Sequence, residues 1–192
     1  MISNEEKIAG DVLERIKAFD GKPLIIAIDG RCASGKTTLA ALIQEKTGCN
    51  VIHADDFFLR KEQRTQERLE EAGGNIDYER LRDEVLIPLS REGKCVFRRF
   101  DCKSMSLSDK EIVIRPNSLT VIEGSYSCHS ELWNYYDLRI FMNVVQYEQL
   151  RRIEQRNGAD AVSVFQNRWI PLEEKYFSAY RIAERCDMMI ET

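Results

Sequence analysis

Basic charge, histidine and long apolar runs are all scarce in this chain, and each scarcity closes off a class of function. Against 32 Asp and Glu there are 28 Lys and Arg, a formal net charge of −4. No general basic field supports nucleic-acid binding. Only two histidines occur, His53 and His129, and the six cysteines (32, 49, 95, 102, 128 and 186) form no Cys-x-x-Cys pair. A zinc site is therefore not expected, and the thiols should be reduced. No run reaches the length of a membrane span, and the first residues lack a basic-then-apolar leader pattern. The expectation is a cytoplasmic chain without a membrane partner.

What the chain does contain is Gly30-Arg31-Cys32-Ala33-Ser34-Gly35-Lys36-Thr37-Thr38, a match to Gly-x-x-x-x-Gly-Lys-[Ser/Thr]. An apolar run, Leu24 to Ile28, precedes it, and Leu39, Leu42 and Ile43 follow at helical spacing. Strand, loop and helix in that order give the phosphate-binding loop its context. Its glycines let successive N–H groups turn inward on phosphate oxygens, and the helix starting near Gly35 adds its positive end. Gly30, Ala33, Ser34, Gly35, Lys36, Thr37 and Thr38 are thus the candidate nucleotide-binding residues. Lys36 would reach the outer phosphates and the Thr37 hydroxyl would ligate Mg²⁺. No Asn-Lys-x-Asp segment follows, which disfavours a signalling GTPase.

The remaining elements alternate. Ser3 and Glu6 form a capping box for a helix over 4–19, and Asp20-Gly21-Lys22-Pro23 is a turn. A second strand starts at Asn50 and ends at Asp55-Asp56-Phe57-Phe58. Residues 59–74 form a charged surface loop with a short helix, on which Arg60, Arg64 and Arg68 share one face. A helix from Ile76 carries the Leu81, Val85 and Leu89 stripe, with Pro88 near its end. Cys95–Phe100 and Glu111–Arg115 read as two strands joined by a polar link, Asp101 to Lys110. Leu119–Gly124 is a buried strand, 130–136 a short helix, Leu138–Asn143 a strand and Gln146–Arg156 a helix broken at Asn157-Gly158. A helix from Ala161, restarted at Pro171, runs to Cys186, and residues 187–190 close as a strand. Alternation of this kind means a single domain, 1–192, built as a parallel sheet covered on both sides.

Phosphoryl transfer needs a phosphate cradle, Mg²⁺, a group to take the acceptor proton and positive charge on the moving group. The cradle is Gly30 to Thr38. Asp55, at a strand end where α/β sheets bind ligands, is the candidate base. Thr37, Glu123 and Asp55 are the candidate metal ligands, Glu123 through water. Arg152 and Arg156, four apart before Gly158, would close over the donor as a lid at about 150–162. Cys32, near Lys36 and a helix N-terminus, is expected to have a lowered thiol pKa.

The set Gly-Arg-Cys-Ala-Ser-Gly-Lys-Thr-Thr, His-Ala-Asp-Asp-Phe-Phe, Gly-Gly-Asn-Ile-Asp-Tyr-Glu-Arg-Leu, Val-Ile-Glu-Gly-Ser-Tyr and Arg-Ile-Glu-Gln-Arg-Asn resembles the uridine kinase family. That family groups with phosphoribulokinase, pantothenate kinase and nicotinamide riboside kinase. The resemblance implies a three-layer P-loop fold with a five-stranded parallel sheet, a helical lid and a β-hairpin, here about 94–115, over the acceptor. It implies ATP and Mg²⁺ as cofactors and a small-molecule acceptor, a nucleoside or ribosyl compound first; a vitamin precursor or sugar phosphate is the alternative. Asp55 matches the family's catalytic aspartate and Glu123 its magnesium-associated glutamate. Asp77, beside Tyr78, matches the acid that binds ribose hydroxyls, and Phe100-Asp101 the hairpin's aromatic–acid pair. The pattern departs at Cys102, where uridine kinases continue with an aromatic and a histidine, and at Ile76, where an aromatic is usual. A nucleotide-binding regulator without transfer, and a homo-oligomeric state, stay open.

Overall fold

An unbroken apolar run can be satisfied only between two covered faces, and β1 (Leu24–Gly30) is buried at every position. The computed structural model describes residues 3–19 and 22–192; Asp20 and Gly21 of the expected turn lie outside them. Four further strands pair in parallel with β1 or its neighbours: β2 (Asn50–His53), β5 (Leu119–Glu123), β6 (Leu138–Asn143) and β7 (Met188–Glu191). The sheet order is β2-β5-β1-β6-β7, so β1 sits at the centre.

Side chains alternate across β1. Ile26 and Ile28 pack with Val12 of α1 (Asn4–Lys17) and with Leu39 and Ile43 of α2 (Lys36–Thr47). Ile25 and Ala27 face the other layer, where Leu81, Val85, Tyr176 and Ile182 are buried. Helix, sheet and helix make three layers. The capping box at Ser3 and Glu6 is present, although α1 ends at Lys17.

Several segments differ from the sequence reading. The expected polar link between the hairpin strands is mostly strand, because β3 (Cys95–Asp101) pairs with β4 (Ser106–Ile114) and only 102–105 turns. A two-stranded ribbon with an open face carries no apolar alternation to betray it. The helix expected over 130–136 reduces to turns and one 3₁₀ turn, Trp133–Tyr135. The helix from Ile76 is continuous through α4 (Tyr78–Arg80), a π segment (Leu81–Leu86) and α5 (Ile87–Glu92). Near the C-terminus, α6 (Gln146–Asn157) turns at Gly158 into α7 (Ala159–Val164), a π segment (Phe165–Trp169) and α8 (Ile170–Tyr180). Pro88 and Pro171 each sit two residues after a π segment, where the widened turn relieves the clash of the ring with the carbonyl four residues back. Arg181, at φ +52, ends α8 before α9 (Ile182–Arg185), a break the sequence does not announce.

Candidate active site

The loop between β1 and α2 depends on two glycines. Gly30 has φ +136, and a Cβ there would lie 2.1 Å from the Met142 carbonyl oxygen. Gly35, at φ +94, opens α2 with no side-chain cap. The first amides of α2 are left to an anion. Lys36 Nζ donates to Gly30 O and Arg31 O, both at 2.7 Å, which folds the lysine back over the loop. Ser34 Oγ is buried with no partner among the described residues.

Parallel register delivers the acids. Glu123, the last residue of β5, pairs with Ile28 on one side and His53 on the other. Thr37 Oγ1 lies 3.2 Å from both Glu123 carboxylate oxygens, and His53 Nδ1 lies 2.5 Å from Oε1. That bond raises the His53 pKa above its ordinary value. Asp55 follows in a 3₁₀ turn, Ala54–Phe57. Its side chain is open to the cavity but crowded by protein, and desolvation, then the Glu123 charge, pushes its carboxyl up. Glu123 and Asp55 share one cavity of about 1100 Å³ with Lys36 and Thr37.

On the β6 side, α6 supplies Arg152, which donates to Ala33 O at 3.2 Å and to Thr192 Oγ1 at 3.1 Å while its Nε bonds Glu148. Arg156 lies over the Phe165 ring and bonds Asn157. Both line the same cavity, as does Arg168.

Other expected residues lie elsewhere. Asp77 is 1% exposed, caps α4 through Arg80 N at 3.1 Å and accepts from Gln63 at 2.8 Å. Tyr78 stacks on His129 at 4.1 Å, its hydroxyl bonded to Arg68. Neither lines the cavity. Phe100 packs edge-on against Phe58, while Asp101 holds the hairpin turn through Lys103 N and Ser104 Oγ. Arg60, Arg64 and Arg68 share no helix face, since only Gln66–Glu70 (α3) is α-helical there. Arg68 forks onto Glu79 and braces the Gly74 and Ile76 carbonyls. The Cys32 thiol corrects its expectation: burial, then Glu173, pushes it up to about 12 rather than down.

Two buried carboxylates escaped the sequence reading. Asp29 is fully buried and accepts from Gly30 N, Tyr126 N, Cys128 N and the Tyr176 hydroxyl at 2.6–3.2 Å. Burial still raises it to about 6. Glu173 of α8 accepts from Cys32 N at 3.0 Å and from Ser125 Oγ at 2.6 Å. An acid immediately before Gly30 is a weak local signal for the first; the second has none.

This architecture recurs in solved structures. A protein described as "Possible Uridine Kinase" from Bacillus stearothermophilus superposes with a TM-score of 0.74 at 21% identity, covering 97% of this chain and 99% of that one. The fold is that of the P-loop kinases. A Silicibacter protein described provisionally as a fructose transport system kinase matches with a TM-score of 0.67 at 19% identity, over 97% and 98% of the two chains. D-glycerate 3-kinase from Cryptococcus neoformans matches with a TM-score of 0.61 at 17% identity, over 88% and 87%. Neither a protein-family model nor a curated protein matches the sequence. Among the described residues no helix of this P-loop kinase fold is long and apolar enough to cross a membrane.

Proposed function

We propose that this chain is an ATP- and Mg²⁺-dependent kinase that phosphorylates a hydroxyl of a small metabolite, ribosyl compounds first among the candidates. The observation that carries the reading is that Lys36, Thr37, Glu123 and Asp55, from three different strand ends, line one cavity. Its volume suits a nucleotide together with a small acceptor.

The residues fit the cofactors. Ser34 Oγ is an unpaired buried hydroxyl inside the cradle, and Thr37 with Glu123 offers a hydroxyl and a carboxylate within one bond of each other. No group of three His, Cys, Asp or Glu among the described residues could enclose a metal. A two-oxygen site suits Mg²⁺, which takes its remaining ligands from phosphates and water. When held by Thr37 and Glu123, Mg²⁺ supplies charge neutralisation on the phosphate oxygens.

Asp55 accepts the acceptor's hydroxyl proton late in the transfer, and its raised pKa moves it toward the range of an effective base. Lys36 exchanges its loop carbonyls for phosphate oxygens and follows the charge of the moving group. Arg152, already against Ala33 O, steadies the loop and the donor from α6.

An ADP-release screen over nucleosides, nicotinamide riboside, pantothenate and pentose phosphates tests this. ADP should appear only with the right hydroxyl compound, and Lys36→Ala should lower both nucleotide affinity and rate. Nucleotide binding with no acceptor-stimulated turnover across a broad panel would favour a regulatory protein instead.

A further inference from the structure

The cavity has two ends, set by the sheet order. Four arginines that line it (151, 152, 156 and 168) come from the β6–β7 side and flank the donor end. Arg64 lines it from the opposite side, beyond β2, with Asp55, Phe58, Asn75 and the hairpin turn residues Cys102 and Met105.

Arg64 differs from its two neighbours. Arg60 is engaged by Gln63, Glu62 and Asp77, and Arg68 by Glu79 and Glu71. Arg64 is half-buried, and its Nε is fixed on Leu59 O at 3.0 Å. No carboxylate among the described residues pairs with its guanidinium. The bond to Leu59 O holds the head of Arg64 at the cavity it lines. Asp55, Arg64 and Cys102 line the same cavity.

We infer that the acceptor carries an anionic group, a carboxylate or a phosphate, bound by Arg64 while its hydroxyl meets Asp55. The inference rests on the kinase reading of this cavity and narrows its acceptor. Asp55 and Glu123 repel an anion at the transfer end, so the acceptor's charge needs a cation of its own, and Arg64 is the lining arginine that follows β2 rather than β6. A neutral nucleoside would leave the charge of Arg64 uncompensated. Phe100, 6% exposed and packed at 79° against Phe58, does not line the cavity and gives its base no stacking face. An Arg fork binds either oxyanion bidentately.

The test is the thermal shift of the full chain preloaded with ADP and Mg²⁺, so that the phosphate loop is filled. Matched pairs are added: ribose 5-phosphate and ribose, D-glycerate and glycerol, with inorganic phosphate as control. The charged member of at least one pair should raise the melting temperature where the neutral one does not. Arg64→Gln should abolish that increment, Arg64→Lys should retain part of it, and the ADP increment should persist in both. Response to the phosphate or the carboxylate pair alone identifies which oxyanion is read. Equal shifts within both pairs, no shift with either charged compound, or a shift that survives Arg64→Gln would overturn the inference with the donor site intact. Absence of the ADP increment in the unmodified chain would instead remove the kinase reading, and this inference with it.

Discussion

His53 Nδ1 lies 2.5 Å from Glu123 Oε1, and the same carboxylate receives the Thr37 hydroxyl. The histidine orients the carboxylate that the metal would share. We expect His53→Ala to raise the Mg²⁺ concentration for half-maximal activity by about 10-fold or more, the scale of a lost supporting ligand. A Mg²⁺ titration at saturating ATP reads this; an unchanged midpoint would show that Thr37 alone suffices.

Asp55 stands where desolvation and Glu123 both raise its carboxyl. Asp55→Asn should leave nucleotide affinity near normal and lower transfer by about 100-fold or more. Single-turnover rates beside a nucleotide titration separate the two. Unchanged transfer would take Asp55 out of the mechanism.

Gly30→Ala should fail as a fold element before it fails as a ligand. Its Cβ would meet the Met142 backbone at 2.1 Å, and φ +136 is closed to an L side chain. We expect a loss of about 2–4 kcal/mol in chemical denaturation, with nucleotide binding reduced in proportion to the folded fraction.

These predictions separate what was legible in the sequence from what was not. The strand before Gly30, the loop itself and the acids at the ends of β2 and β5 were readable because their signals are local. The Arg60, Arg64 and Arg68 face was misread because their spacing resembles a helix, whereas each finds a different partner in the folded chain. The Cys32 thiol was misread for a related reason. Its local cations were visible, but Glu173 lies 141 residues away and burial outweighs Lys36. Asp29 meets Tyr176 across 147 residues, and no pattern in a single sequence reports such a pair.

His129 gives a pH dependence with a definite sign. It is buried between Tyr78 and Tyr176, and desolvation lowers it to about 4 from its ordinary 6.5. At pH 5 the unfolded chain binds a proton that the folded chain refuses, so stability falls as pH drops from about 6.5 toward 4. The full loss is about 3 kcal/mol, at about 1.4 kcal/mol per unit. Asp29, raised to about 6, opposes this slope over the same range, so the His129 contribution is read as a difference. In urea unfolding between pH 7 and 4.5, His129→Phe should lose less stability than the unmodified chain, whatever its absolute stability. Parallel slopes in the two proteins would assign the acid sensitivity to other groups.

The fourfold grip on Asp29 makes the shape of the Gly30–Thr38 loop a property of the whole chain. Three of its donors come from residues 126, 128 and 176. A fragment that ended before Tyr176 would contain every letter of the phosphate-loop signature and still lack one of the four donors beneath it. The nine residues that look self-sufficient on paper are the last part of this molecule that could be borrowed alone.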